Sequence, residues 1–280
     1  MTPIEIPGAS VTGRPNHRSA THAVVSIAAA ILGSLCLIFL IGPVLKLVAV
    51  AGGEGIGALG SDRELRRALI LTAVTASVAT LIGMLIATPV SYLLARRRFP
   101  GRAAISALLD LPILIPHPVA GIALLLVLGR ESAFGGAALK AGLAIVSTPL
   151  GIIAAMLFVS MPLYISAARE AFSRVDERYE AVARTLGDPP WRTFRRITLP
   201  LAGRGLLAAA VVMWARAVSE FGAIVILTYN PKVASVLSYD RFTSTGLPGA
   251  LPVAAALALL ALIPLTLLRT LRAGEMETRP

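Results

Sequence analysis

Six long apolar stretches alternate with shorter polar ones along the 280 residues of the chain. They run over 24–50, 65–94, 103–128, 141–167, 201–227 and 250–268. Each is long enough to cross a hydrocarbon core of about 30 Å, which takes roughly 20 helical residues. Backbone groups in lipid must be satisfied within the segment, so runs of this length are helical, and interior Pro and Gly are tolerated where neighbours satisfy the freed groups. The pattern predicts an all-α integral membrane protein with six spans over 23–270. Residues 1–22, rich in Pro, Gly, Ser and Thr, read as a mobile tail, and 271–280 as a second tail. The first apolar run is too long for a signal-peptide core and is expected to stay as a span.

Composition and charge sharpen this picture. Hydrophobic residues make up 56% of the chain, which excludes a soluble globule, and the net charge is +11. The cations mark membrane orientation rather than a nucleic-acid surface. Arg14 and Arg18 precede the first span, Arg96, Arg97, Arg98 and Arg102 follow the second, and Arg269, Arg272 and Arg279 follow the last. Seven more arginines lie in the polar stretch between the fourth and fifth spans: Arg169, Arg174, Arg178, Arg184, Arg192, Arg195 and Arg196. The positive-inside rule therefore puts both termini and that stretch in the cytoplasm. Arg63, Arg66 and Arg67 run against the bias. Cys36 is the only cysteine, so no intrachain disulfide and no cysteine metal cluster can form; no metal is expected.

The polar stretch, 169–200, reads as two helical pieces. Phe172, Val175, Tyr179, Val182 and Leu186 recur at helical spacing and are expected on one stripe. Gly187 suits a left-handed C-terminal turn. Asp188 and Pro189 then fit an N-cap and first helical position. The second helix would display Trp191, Phe194 and Ile197 on one side and end at Pro200. An amphipathic loop resting on anionic lipid would also carry these arginines. A fixed angle between two helices is not needed for that, and it favours a protein socket.

Two features within the spans carry chemistry. Asp110, Pro112, Pro116, His117 and Pro118 interrupt the third span, because each proline removes a donor and clashes one turn back. Broken helices at membrane depth commonly line a substrate path. Arg216 and Glu220 in the fifth span are four apart and of opposite charge. They are read either as a structural ion pair or as part of a pathway wall or gate. His117 is either bonded to a nearby carbonyl or a sensor of an anion or proton.

The motif Ala181-Val182-Ala183, three residues, Gly187, nine residues, then Ile197-Thr198-Leu199-Pro200 resembles the cytoplasmic EAA loop of ABC-importer permeases. Aligned on Gly187, the glutamate of that motif falls at Ala181, with Glu180 one position early, leaving open whether Glu180 takes its place. The resemblance implies a six-helix type I importer permease whose loop docks in a cleft of an ATP-binding subunit. Glu180, Ala181, Ala183, Gly187, Trp191, Phe194, Ile197, Leu199 and Pro200 would form the coupling surface. Asp110, Pro112, Pro116, His117, Arg216 and Glu220 would line the pathway or gate. It further implies a homodimer in the cytoplasmic membrane, two ATP-binding subunits holding ATP-Mg, and one extracytoplasmic solute-binding protein. That protein would dock on the loops over 52–63, 130–140 and 229–249. The segment Trp214-Ala-Arg216…Ser219-Glu220-Phe221-Gly222-Ala223 resembles permeases for tetrahedral oxyanions. The stretch from Tyr229 to Ala254 resembles their molybdate/tungstate branch, with sulfate or thiosulfate as the alternative.

Enzymatic activity is not expected of this chain. It lacks the G-x-x-x-x-G-K-[ST] phosphate loop, H-E-x-x-H and G-x-S-x-G. Among binding and transport readings, an ion-coupled secondary transporter would explain the spans and the Arg216–Glu220 pair but not the two-helix cytoplasmic knob.

Overall fold

The computed structural model describes residues 17–276, and among these no strand occurs. Two compact units divide the chain at residue 49. The first contributes the apolar part, Val25–Ala49, of a long helix α1 (His17–Ser61). α1 extends beyond both ends of the expected first span. Of the two expected tails, residues 1–16 and 277–280 lie outside the described residues.

The second unit continues with α2 (Arg63–Arg96), α3 (Arg102–Leu114), α4 (His117–Leu128), α5 (Ala133–Lys140) and α6 (Pro149–Ser173). It ends with α7 (Glu177–Thr185), α8 (Pro190–Thr193), a π turn (Phe194–Thr198), α9 (Leu199–Val218), α10 (Gly222–Leu227), α11 (Ala234–Thr245) and α12 (Leu247–Met276). Among the described residues, five helices are long and apolar enough to cross a membrane. The pair α3 and α4, bent by 112° at its break, supplies a sixth span if counted as one.

Three boundaries differ from the sequence reading, each for a local reason. The fourth span starts at Pro149 rather than 141, because Thr148 caps the helix by accepting from Leu150 N, and Pro149 fills a first-turn position. The fifth span is not continuous. α9 stops before Ser219, and α10 restarts at Gly222, where the Glu220 carboxylate accepts from Ala223 N at 2.8 Å. The sixth begins at Leu247, after Gly246 ends α11 at φ 72°, and its helix runs on to Met276, through 271–276.

The core lies where α2, α6 and α9 pack together. Ala87, Leu94, Tyr164, Phe172, Leu206 and Met213 fill one end. Ala76, Ala79, Ile152, Met156, Val159 and Ala217 fill the other. Small side chains let helices approach closely without a hydrophobic driving force from water. Gly205 shows how close: a Cβ there would sit 2.6 Å from the Ala171 Cβ. Buried hydroxyls within α2 and α6 bond back to their own helix, as in Thr72 to Ala68 O at 2.7 Å and Ser160 to Met156 O at 2.6 Å. They are thereby satisfied without a ligand.

Candidate functional site

The loop between α6 and α9 forms a two-helix knob. Asp176 caps α7 by accepting from Arg178 N at 2.9 Å. Gly187 closes α7 at φ 94°, a conformation that favours glycine, with Asp188 N donating to Ala183 O at 3.0 Å. The second helix starts one residue later than the sequence suggested. Pro189 is extended, Pro190 is the first helical residue, and Asp188 pairs with Arg192 at 3.3 Å instead of capping. Nor does that helix end at Pro200. The π turn carries it into α9, with Leu199 N reaching back to Phe194 O, so Pro200 sits in the first turn of α9 without breaking it.

The expected single stripe is split. Phe172 and Val175 are buried, whereas Tyr179, Val182 and Leu186 face out. The non-helical stretch around Arg174–Asp176 resets the helical phase between them. On the second helix Trp191 is 69% exposed and stacks on Phe194, ring centroids 5.8 Å apart. Phe194 points inward, edge-on to Tyr92 at 4.8 Å. Ala181 and Pro200 are exposed, Ile197 and Leu199 half-buried, and Ala183 buried. Tyr179, Val182, Leu186, Ile197 and Pro200 line an open groove of about 810 Å³. An apolar groove of this kind at the polar end of a membrane protein suits a helix or loop of another subunit.

Glu180 does not share that outer face. Its carboxylate is buried, accepting from Arg96 Nε at 2.9 Å, Tyr92 Oη at 3.1 Å and Thr198 Oγ1 at 2.9 Å. Arg96 also donates to Val175 O at 2.8 Å. Sequence reasoning missed Tyr92, Arg96 and Thr198. Arg96 was visible only as one of three consecutive arginines, a mark of orientation. A buried carboxylate with an ionic partner and two further donors is held in a fixed direction.

At the other candidate site the structure brings together His117, Arg216 and Glu220. Arg216 Nη2 lies 2.7 Å from Glu220 Oε2 and 2.7 Å from His117 Nε2. Arginine has no acceptor, so His117 offers the ring nitrogen's lone pair. Ser219 Oγ accepts from Arg216 Nη1 at 3.3 Å, and Ser235 Oγ donates to the Glu220 carbonyl at 2.6 Å. The Glu220 side chain is fully buried and that of Arg216 is 21% exposed. The pair survives although the residues no longer share one helix, because Glu220 sits in the break and caps α10.

Prolines place His117 there. Ile115 and Pro116 are extended, Pro118 occupies the first turn of α4, and Pro112 lies within α3. α4 then crosses α10 at close range. A Cβ on Gly222 would meet the His117 Cβ at 2.7 Å, and one on Gly121 would meet Ala223 O at 2.8 Å. Asp110 stands apart from the cluster, accepting from Ser166 Oγ of α6 at 3.4 Å. Gly121→Ala is expected to disrupt the α4–α10 crossing, since a backbone carbonyl cannot swing away. Its cost should be about 1–3 kcal/mol, the usual range for overpacking, read as a lower melting temperature in detergent.

A family model described as the binding-protein-dependent transport system inner membrane component matches residues 79–273. The chain belongs to this family. It is 45% identical over 70% of its length to a molybdate/tungstate transport system permease protein of Thermococcus kodakarensis, covering 74% of that protein. A probable sulfate transport system permease of Chlorella vulgaris is 33% identical over 72% of this chain and 77% of its own. Among solved structures, a bacterial ABC transporter that imports the acidic polysaccharide alginate superposes with a TM-score of 0.69. That match has 16% identity and covers 94% of this chain and 99% of the other. The fold is thus that of an ABC importer permease, and the chain is a multi-pass membrane component.

At the end of the permease away from the knob, an ionic network ties α11 to the start of α2. Arg241 pairs with Asp62 at 2.6 Å and Glu64 at 3.0 Å. Lys232 pairs with Asp240 at 2.6 Å and approaches Glu64 at 3.9 Å, and Tyr229 donates to Asp240. The Arg241 hydrogen bond holds Asp62 below the usual carboxylate value of 3.8, and Lys232 does the same for Asp240. Asp240 in turn raises Lys232 above 10.5. Depressed carboxylates contribute stability above their unfolded value and lose it as pH falls through the folded one. The raised lysine contributes below its unfolded value and loses this as pH rises through the folded one. Protection factors over 229–245, corrected for the intrinsic pH dependence of amide exchange, are therefore expected to stay constant from about pH 5 to 9 and to fall only below about pH 4.

Proposed function

We propose that this chain is the permease of an ATP-driven importer that carries molybdate or tungstate across the cytoplasmic membrane. Two copies form the route between them, two ATP-binding subunits dock on the knobs, and a solute-binding protein delivers the anion from outside. Both termini and the knob face the cytoplasm, in keeping with the clustering of arginines at that end. No nucleotide is held by this chain; ATP-Mg belongs to the partner subunit. The substrate reading is supported by a higher identity to the molybdate/tungstate relative than to the sulfate relative.

The observation that carries the coupling is the exposed apolar face of Tyr179, Val182, Leu186 and Trp191 on a knob anchored from beneath by Phe194 and Glu180. Glu180 acts from inside the knob, Ala183, Ile197 and Pro200 line the groove, and Ala181, Gly187 and Leu199 lie beside it in the same loop. Within the membrane, the break at Pro112–Pro116 and the His117–Arg216–Glu220 cluster serve as a gate, while Asp110 holds α3 against α6. The partly exposed guanidinium offers positive potential to a passing dianion without trapping it, because Glu220 already balances its charge.

Uptake into proteoliposomes tests this. With ATP-binding subunit, loaded binding protein and enclosed ATP, molybdate or tungstate should accumulate, and accumulation should stop when the ATP-binding subunit is omitted. Uptake that persists without that subunit would identify a secondary transporter instead.

A further inference from the structure

We infer that α2 is the strut that carries displacement of the docking knob to the opposite end of the permease, with Glu180 and Arg96 as its positioning pair. This rests on the proposed reading that the knob engages an ATP-binding subunit.

Of the residues of α7 only Glu180 and Ala183 are buried. The helix that meets the partner is thus fastened to the bundle chiefly through one carboxylate. Two of its three donors, Arg96 and Tyr92, come from the last turns of α2, and Thr198 comes from the π turn. Arg96 and Glu180 side chains are only 7% and 8% exposed, so water neither screens the contact nor replaces it. Arg96 also holds the turn that links α6 to α7, through Val175 O. A shift of α7 is therefore passed to the end of α2 through Arg96 and Tyr92.

α2 is a single helix over its 34 residues, about 50 Å at 1.5 Å per residue, unbroken although Pro89 lies within it. Two neighbours are interrupted, since α9 breaks before Ser219 and α3 and α4 are bent apart. α6 is continuous over Pro149–Ser173, but the bonds that reach α11 come from α2. Along its length α2 is keyed to its neighbours by Thr88 with Tyr164 Oη at 2.8 Å and by Ser77, which accepts from Trp214 Nε1 at 3.0 Å. At the far end Asp62 both caps α2 and pairs with Arg241, Glu64 pairs with Arg241, and Thr72 Oγ1 accepts from Ala234 N at 2.9 Å. α11 is thus tied to α2 by ions and by its own first amide. One rigid element is locked by charge to the docking knob and to the opposite loop.

The test is hydrogen exchange over 234–245 in the assembled complex, with and without a non-hydrolysed ATP analogue. In the wild type the nucleotide should change exchange there. In Glu180→Gln, which removes the charge but keeps an acceptor, the change should shrink about fivefold or more, the lower end of ordinary coupling between sites. Arg96→Lys, which keeps charge but not the bonds to both Glu180 and Val175 O, should behave alike. Both are measured on complexes recovered intact by size exclusion, so that at least one readable variant remains if the other fails to assemble. A full nucleotide effect in either intact variant overturns the strut while leaving the functional reading standing. No nucleotide effect in the wild type also overturns the strut, whereas the functional reading stands or falls on ATP-dependent uptake.

Discussion

Glu220→Ala is expected to cost the permease roughly 3–5 kcal/mol, the usual consequence of removing one member of a buried ion pair. Arg216 would lose its anionic partner at membrane depth, and the Ala223 amide at the start of α10 would lose its acceptor. Accumulation in the membrane should fall sharply, seen as loss of the monodisperse peak in size exclusion. Glu220→Gln should lose less, because an amide oxygen can still accept from Ala223 N. Arg216→Ala should be at least as damaging, since it strands a carboxylate that is fully buried. These single changes cannot separate a gate from a structural pair, but replacing both residues by methionine can. A matched apolar pair is often neutral for stability, so the double variant should fold. If the cluster is a gate, the folded double variant transports nothing or leaks anion without ATP; normal coupled uptake would make the pair purely structural.

Trp191→Ala should separate folding from coupling at the knob. Trp191 is mostly exposed, so its loss removes little intramolecular packing. ATP-driven uptake should fall about thirtyfold or more with the melting temperature nearly unchanged, matching the loss of about 2 kcal/mol or more at an aromatic hot spot. Phe194→Ala is expected to do the opposite first. Its ring lies against Tyr92 and Phe172, and truncation of such a side chain costs about 3–5 kcal/mol. A combined change at both positions would therefore confuse unfolding with uncoupling. Unimpaired uptake by Trp191→Ala, with the complex intact, would move the docking contact elsewhere.

Much of the architecture was legible because membrane spans write themselves as long apolar runs. The broken third span could be read from Pro112, Pro116 and Pro118, and the Arg216–Glu220 pairing from a four-residue spacing. What could not be read was direction and partnership across the fold. Glu180 and Ala181 are adjacent, yet one helical position is about 100°, so one points into the bundle and the other out of it. Choosing between them needed the phase of α7, which the break after α6 resets. Arg96 lies 84 residues from Glu180, and His117 lies 99 from Arg216, separations at which no local pattern speaks. Pro200 read as a helix end because proline usually is one. The π turn before it, invisible in composition, absorbs the missing donor. The Asp62–Arg241 network likewise joins α11 to the start of α2, elements that sequence spacing does not relate.

The most direct measurement of the central claim is ATPase activity of the complex in liposomes, with the binding protein loaded in turn with molybdate, tungstate and sulfate. Stimulation by molybdate or tungstate, with little by sulfate, is the expected result. Stimulation by sulfate alone would contradict the substrate assignment, and no stimulation of a verified complex by any of the three would contradict the ATP-coupled permease itself.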